Sequence, residues 1–303
     1  MRQGPLHFTP SSRTQRGFTM IELVVVIVLT GIIAATIAVT IGPTVKAYNA
    51  VKGRADLTDQ LDMGMRRIVK DVRSAVPNSL RSSNTQCFEL IPAKTGGRYR
   101  MAADTVNDSP AGCATPSGTC SAPLDTTQTT TIFDSLSTLS PTPVVGDIVV
   151  INNQNSNDVY DGLNRSAITA IGAAPLASQG AHRITINAFQ FSVGYDAGRF
   201  QVIDNNQKAV FFVCSGTGVD ANGNGTGTLY RLKNYGFNSS NGASCPAVAG
   251  GDVLATKIKS CSFLYNPNQG ATQQSGFLSM DIEVSRNNET AHLAVGAHVN
   301  NVP

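Results

Sequence analysis

The stretch RGFTMIELVVVIVLTGIIAATIAVTIG, residues Arg16–Gly42, decides how the rest of the chain can fold. Its last twenty residues, Leu23–Gly42, carry no charge. At helical rise they span about 30 Å, the hydrocarbon thickness of a bilayer. Arginines precede the run and none follows it immediately, which places the first residues in the cytoplasm and everything after Gly42 outside. A cleaved secretory signal is the alternative, but its apolar core has only about 7 to 15 residues.

Glu22 places a carboxylate at the edge of this run. An ionisable group costs on the order of 2.5 kcal/mol or more at the centre of a membrane helix, so such groups usually have a partner. A side chain that snorkels to the interface is the alternative interpretation.

The segment Gly17-Phe18-Thr19-Met20-Ile21-Glu22 and its apolar run resemble the class III signal of type IV pilins and type II secretion pseudopilins. The resemblance implies that a prepilin peptidase cuts after Gly17 and methylates the new N-terminal residue, Phe18. It also implies that Glu22 meets the N-terminal ammonium of a neighbouring subunit during assembly. Pairing two opposite charges in a low dielectric removes the penalty that each would suffer alone.

Apolar residues beyond the membrane run recur at steps of four and three, which predicts that the helix continues as an amphipathic stem. They are Leu57, Leu61, Met65, Ile68 and Val72. The helix is expected over 18–76 and should end at Pro77-Asn78. Pro43, which follows Gly42, removes a helical hydrogen bond, so we expect a kink or local melting there.

The remainder is typical of β structure with long polar loops, the latter at 103–128 and 216–227. The predicted strands are 86–91, 129–133, 147–152, 182–191, 200–203, 209–214, 227–232, 257–265, 277–285 and 291–299. The last two alternate apolar and polar residues, and Asn287-Asn288 lies between them, which predicts a hairpin with one buried face.

These patterns together predict an α+β fold, in which a long N-terminal helix, with a membrane half and an amphipathic half, packs on an antiparallel β-sheet domain with long loops. We expect a cleaved leader at 1–17, a transmembrane and assembly helix at 18–42, the amphipathic half of the stem at 43–76 and a β-rich globular domain at 77–303. The formal charge of +3 comes from three arginines in the first seventeen residues. The rest of the chain is neutral, which argues against nucleic acid as a partner.

Six cysteines follow the membrane run, and an even number on the oxidising side of a membrane predicts disulfides. They are Cys87, Cys113, Cys120, Cys214, Cys245 and Cys261. Cys113 with Cys120 would close a short loop, and Cys214 with Cys245 would tie a glycine-rich excursion. Elimination leaves Cys87 with Cys261. Zinc is the competing interpretation, although the sequence has no C-x-x-C pair.

The loop Asp220-Ala221-Asn222-Gly223-Asn224-Gly225 matches the first half of a calcium loop, with Asp220, Asn222 and Asn224 as candidate ligands. Its twelfth position is Arg231, where a glutamate is expected. An ordinary Gly/Asn surface loop is therefore the stronger interpretation. No other metal and no cofactor is expected. The sequence has no G-x-S-x-G or H-E-x-x-H motif, and we expect no enzyme.

Scattered patches, including MRRIVKDVRSAVPNS, LIPAKTGGRYR and the ending HVNNVP, resemble the minor pilins of the mannose-sensitive haemagglutinin (MSHA) pilus. That resemblance implies a subunit that primes assembly at or near the pilus tip. Its partners would be other minor and major pilins, the prepilin peptidase and the inner-membrane assembly platform. A type II secretion minor pseudopilin is the first alternative. A membrane-anchored periplasmic enzyme or receptor is the second, and it predicts no cleavage after Gly17.

Overall fold

The computed structural model describes residues 17–108, 113, 120–193, 198–240, 244–269 and 275–302. Packing divides the chain into two compact units, residues 1–52 and residues 53–303. Helix α1 covers Met20–Arg73, and the one-turn helix α2 covers Asp158–Asp161. The α+β fold predicted from the sequence is confirmed.

The strands found in these ranges form two antiparallel sheets. In chain order they are β1 (Arg81–Asn84), β2 (Cys87–Leu90), β3 (Ala93–Arg98), β4 (Thr130–Ser135), β5 (Ile148–Val150), β6 (Arg165–Ala173), β7 (His182–Phe189), β8 (Arg199–Ile203), β9 (Val210–Ser215), β10 (Gly227–Leu232), β11 (Asp252–Gln269), β12 (Ser275–Arg286) and β13 (Glu289–Asn300).

The first unit consists, in its described part, of the start of α1. The helix runs without interruption through Gly42 and Pro43, so the local melting expected there is not found. Pro43 can supply no N–H to the carbonyl of Val39, but this removes one hydrogen bond from a long series. Apolar helices of the membrane type tolerate such an interruption. Threonine hydroxyls also bond to carbonyls one turn back, as Thr44 does to Thr40 at 2.8 Å.

In the second unit, the last five turns of α1 pack on the seven-stranded sheet, whose order is β1-β2-β9-β10-β11-β12-β13. The predicted apolar stripe is confirmed, because all five of its residues are buried in one core with the inner face of the sheet. Gly64 also belongs to the buried face, since a Cβ atom at this position would be 3.3 Å from the carbonyl oxygen of Leu254. The helix ends at Arg73, three residues earlier than expected, and Ala75 pairs with Pro92.

The predicted hairpin at the end of the chain is confirmed. β12 and β13 pair over twelve residues without a register shift, and Asn287 and Asn288 form the two-residue turn with φ of 51° and 64°. Positive φ at both central residues is what a type I′ hairpin turn requires, and asparagine tolerates it. On β12, Leu278, Met280 and Ile282 are buried, whereas β13 alternates half-buried and exposed residues for most of its length.

The six-stranded sheet has the order β3-β8-β5-β6-β7-β4, and its two ends meet. Tyr99, directly after β3, pairs with Ser135 of β4, and the N–H of Arg100 donates to the carbonyl of Asp134 at 2.9 Å. The sheet thus curls into a closed barrel around its own core, in which Phe133 and Phe200 pack edge to face. Closure leaves neither β3 nor β4 as a free edge over this contact.

Strands β1, β3 and β6 were not among the predicted ones, and β11 is twice the predicted length. β3 reads AKTGGR and is half-buried to exposed, so it lacks the apolar alternation that identifies a strand. Its Gly96 lies so close to β8 that a Cβ atom would be 2.8 Å from the carbonyl oxygen of Phe200. Pairing with β8, and not the local pattern, makes this segment a strand.

Two buried ion pairs fix the end of α1 and the turn after it. Asp71 accepts a hydrogen bond from Nε of Arg231 on β10 at 2.8 Å, and both side chains are at most 5% exposed. Arg81 donates to Glu89 at 2.7 Å, and the hydroxyl of Tyr235 also donates to that carboxylate. Burial raises the pKa of Glu89, and these two donors oppose the rise.

We expect Asp71→Asn to destabilise the second unit by about 3–5 kcal/mol, because it leaves the Arg231 charge buried without its counter-charge. Asp62→Asn is the matched control on the same helix. Asp62 pairs with Arg66, whose side chain is 78% exposed, and such surface pairs are worth about 0–1 kcal/mol. Urea unfolding of the full chain in a mild detergent, followed by near-UV circular dichroism, measures both. Equal losses in the two variants would contradict the role of the buried pair.

Candidate functional site

The residues of the N-terminal motif are open to their surroundings. Gly17, Phe18 and Thr19 precede the first turn of α1, and, apart from the adjoining residues, no atom of the described chain lies within 4 Å of a Cβ added to Gly17. Phe18 is 86% exposed. The peptide bond between Gly17 and Phe18 is therefore accessible to an enzyme within the described part of the chain.

Thr19 and Glu22 form a reciprocal cap at the start of α1. One carboxylate oxygen of Glu22 accepts hydrogen bonds from the N–H and the hydroxyl of Thr19, each at 2.9 Å, and the N–H of Glu22 points back to that hydroxyl at 3.4 Å. This is the capping box, in which a Thr and a Glu three residues later satisfy each other's free N–H groups. Our sequence interpretation missed it, although the T-x-x-E spacing at Thr19–Glu22 is its signature.

The cap gives the Glu22 carboxylate a defined place beside the positive end of the helix dipole, which favours an anion. The carboxylate bonds only through one of its two oxygens in the described contacts, and none of the ion pairs among the described residues includes it. Glu22 is thus oriented by its own helix while a cation from elsewhere can still approach it.

The surface that follows Glu22 is apolar on every side. Within the first unit, α1 is long and apolar enough to cross a membrane, and none of its most apolar 18-residue window is buried. Large aliphatic side chains such as Leu23, Ile27 and Ile33 are more than half exposed. Burying such surface is worth about 25 cal/mol per Å², so the segment is stable only in a lipid or protein surrounding. This helix and the motif before it fit membrane anchoring.

The disulfides differ in part from our expectation. Cys113–Cys120 is found as predicted, but Cys87 pairs with Cys245 and Cys214 with Cys261, at Cα–Cα distances of 5.8 and 6.4 Å. The partners differ from the predicted ones because the cysteines lie on opposite faces of the seven-stranded sheet. Cys87 lies opposite Val213 on β9, so the next residue of β9, Cys214, points to the other face.

Cysteines that lie on the same face of the sheet pair with each other. Cys214 and Cys261 both contact the core under α1, whereas Cys87 and the loop with Cys245 belong to a small cluster with Phe211 on the outer face. The pairing that we predicted for Cys214 and Cys87 is therefore wrong, because sequence spacing does not reveal which face each cysteine occupies.

The candidate calcium ligands are engaged with their own loop. The carboxylate of Asp220 accepts from the backbone N–H groups of Asn222 and Asn224, at 2.9 and 2.8 Å, and from the side-chain amide of Asn224. The side-chain oxygen of Asn224 accepts from the N–H of Asn287 in the hairpin turn. Arg231, at the twelfth position, is buried against Asp71 and does not belong to the loop. This arrangement supports the interpretation of 220–225 as a structural loop.

The three histidines of the described ranges lie apart in the second unit. His182 accepts from the N–H of Leu139, His292 contacts Asp281 at 2.9 Å, and His298 packs on the ring of Phe277. In the described ranges, no group of three or more His, Cys, Asp or Glu side chains is placed to hold a metal ion.

A family model described as the prokaryotic N-terminal methylation motif matches residues 12–38. No curated protein and no solved structure matches the chain significantly. The matched range contains Gly17, Phe18, the Thr19–Glu22 cap and most of the apolar run, up to residue 38. The match supports a type IV pilin-like class III signal, hence a pilin-like or pseudopilin-like subunit. Proteins with this motif are structural subunits that associate with one another and are processed by a prepilin peptidase.

The loop at Asp220 predicts a local pH dependence. The N–H of Asn224, with help from the Asn224 side chain and the N–H of Asn222, lowers the pKa of Asp220 from its ordinary value of 3.8. A carboxyl whose pKa is lowered on folding stabilises the folded form above its ordinary pKa, and this stabilisation is lost as the pH falls through the lower folded value.

We therefore expect the backbone amide resonance of Asn224 to titrate with a midpoint below 3.8 in NMR spectra of the full chain in micelles. Asp220→Asn keeps an acceptor oxygen and should remove the titration without unfolding the loop. Asp204→Asn, in another exposed Asx turn, is the control that should leave Asn224 titrating. A midpoint at or above the ordinary value would contradict the hydrogen bonds from Asn222 and Asn224 to the Asp220 carboxylate.

Proposed function

We propose that this protein is a minor, low-abundance type IV pilus subunit of the MSHA type, needed to initiate pilus assembly and located at or near the tip. The observation that supports it most strongly is the capped carboxylate of Glu22 at the head of an apolar helix, five residues after Gly17. A simple membrane anchor has no need of a positioned charge there. A subunit that assembles with others does need a positioned charge, since its neighbour supplies the counter-charge.

In this proposal, residues 1–17 are a leader that prepilin peptidase removes, after which the amine of Phe18 is methylated. Residues 18–42 are the transmembrane and assembly helix, 43–76 the amphipathic half of the stem and 77–303 the globular domain. Before assembly, the chain crosses the inner membrane once, with its N-terminus cytoplasmic and its globular domain periplasmic. Assembly then moves it to the pilus at the cell surface.

Glu22 pairs, in the proposed step, with the N-terminal ammonium of Phe18 on a neighbouring subunit. In a low-dielectric surrounding this attraction is far stronger than in water, and both charges escape the cost of being buried alone. The cap by Thr19 lowers the entropy lost on pairing, because the carboxylate is already held in one orientation. The other subunits, the peptidase and the inner-membrane platform are the proposed partners.

The finer assignment, a resemblance to the MshO minor pilin, rests on the sequence patches named above and on chain length, since major pilins are nearer half this size. The loop-rich second unit supports a subunit with a distinct place in the fibre. A type II secretion pseudopilin shares the N-terminal features. Deletion of the gene separates the two, because loss of surface pili supports the proposal and loss of an exported enzyme supports the pseudopilin.

We expect the mature chain to begin at methylated Phe18 in cells that have prepilin peptidase, as measured by mass spectrometry of the purified protein. Gly17→Val should block cleavage, and since the space around Gly17 is open, it does so without a clash among the described residues. Gly31→Val, equally open, is the matched control and should leave cleavage intact. A wild-type chain that still begins before Phe18 would overturn the proposal.

Two substitutions at Glu22 separate its charge from its cap. Gln occupies the same capping-box position as Glu, so Glu22→Gln keeps the cap and removes the charge, whereas Glu22→Ala removes both. We expect both variants to insert in the membrane and to be cleaved, and both to enter pili at least tenfold less than wild type, measured by immunoblotting of sheared fibres. Normal incorporation of Glu22→Gln would show that the cap, and not an intermolecular charge pair, is what assembly needs.

A further inference from the structure

The edges of the two sheets are protected in unequal ways. In the described chain, β3 and β4 close on each other through Tyr99 and Ser135. β1 has four residues, with a register shift between Ser82 and Asn84. A short, irregular edge and a closed barrel both prevent further pairing. The fourth edge, β13, has neither protection.

β13 is long, regular and open. Its twelve residues, ETAHLAVGAHVN, pair with β12 without a bulge and contain no lysine, arginine or proline, the residues that commonly block an edge. Its single charged residue, Glu289, pairs with Arg54 at the start of the strand. The order of the sheet ends at β13, so alternate N–H and C=O groups face outward with no strand beside them among the described residues.

A groove of about 630 Å³ runs between β13 and the last turns of α1. Met65, Val69 and Val295 form its apolar floor. Its polar lining consists of Asp62, Arg66, Lys70, Arg73 and Ser74. A strand added to β13 would turn every second side chain toward the face of the sheet on which α1 and this groove lie.

The positive charge of the groove favours an acidic binding partner. Arg66 is matched by Asp62 at 2.5 Å, but no ion pair in the described ranges includes Lys70 or Arg73, which are exposed. The groove therefore has an excess of positive charge. A second copy of this chain would bring an equally basic groove to the same edge, which disfavours symmetric pairing. An extended segment with carboxylates satisfies both the backbone groups and the cations.

We propose that β13 and this groove bind an extended segment of another protein, which adds a strand to the sheet, places aliphatic side chains on Val295 and places carboxylates against Lys70 and Arg73. Main-chain hydrogen bonds supply the affinity in such strand addition, and the groove supplies the specificity. The site lies in the second unit and makes no use of Glu22, so this proposal can be correct or wrong independently of the proposed assembly step.

The test uses the mature full-length chain in detergent micelles and a fluorescein-labelled peptide, TVTVTETET, whose Val and Glu residues share one face. We expect saturable binding by fluorescence anisotropy and at least tenfold weaker binding of the matched peptide TVTVTKTKT. Lys70→Glu should weaken the acidic peptide at least tenfold, whereas Arg199→Glu, the same charge change on β8 of the other sheet, should leave binding unchanged. Absence of binding by the acidic peptide, or equal binding of both peptides, overturns the proposal.

Two N-methylated versions of the acidic peptide test the strand pairing without altering the protein. Each carries methyl groups on every second backbone nitrogen, in one register or the other, so only one keeps the donors that face β13. Strand addition predicts that one version binds and the other does not. Equal binding of both versions overturns the pairing. Self-association of the chain that the acidic peptide reduces would assign the edge to a second copy and likewise overturn the proposal.

Discussion

The second unit depends on one packing contact, the burial of the apolar stripe of α1 against the inner face of the seven-stranded sheet. Leu61, Met65 and Ile68 are at most 1% exposed there, among aromatic and aliphatic side chains from β2, β9, β11 and β12. Burial of this kind is non-directional, so it determines which face of the helix meets the sheet but not where the helix ends.

Directional contacts, an ion pair and disulfides, fix the features of the second unit that the apolar stripe does not determine. Asp71 is the one acidic side chain on the buried face of the helix, and its bond to Arg231 sets the last turn of α1 against β10. A buried ion pair contributes little net stability when complete, but it penalises arrangements in which either charge is left alone. The disulfide between Cys214 and Cys261 connects strands of the same sheet on the helix side, and that between Cys87 and Cys245 holds a loop on the opposite face.

The first unit obeys a different constraint. Its exposed aliphatic surface gives no stability in water, so its ordered state belongs to a lipid or protein surrounding. In such surroundings the cost of a carboxylate is high, and the cap from Thr19 offsets only part of it, because one oxygen of Glu22 remains without a donor in the described contacts. The residual cost is the physical reason to look for a cation on another molecule.

The sequence alone was sufficient to predict the local structure wherever a residue pattern is compatible with a single stable conformation. Leu23–Gly42 can be stable only as an apolar helix, the stripe from Leu57 to Val72 only as a helix face, and two alternating runs around Asn287-Asn288 only as a hairpin. The Thr19–Glu22 cap could also have been predicted from the sequence, because T-x-x-E is the spacing of a capping box.

Tertiary structure decided what depends on contacts between distant segments. β3 is a strand because β8 pairs with it, the curled sheet closes because Tyr99 meets Ser135, and the disulfide partners are set by the face on which each cysteine emerges. The open edge at β13 is likewise a property of strand order and not of its residues. Local sequence specifies local conformation, whereas pairing depends on which distant segments reach each other when the core is buried.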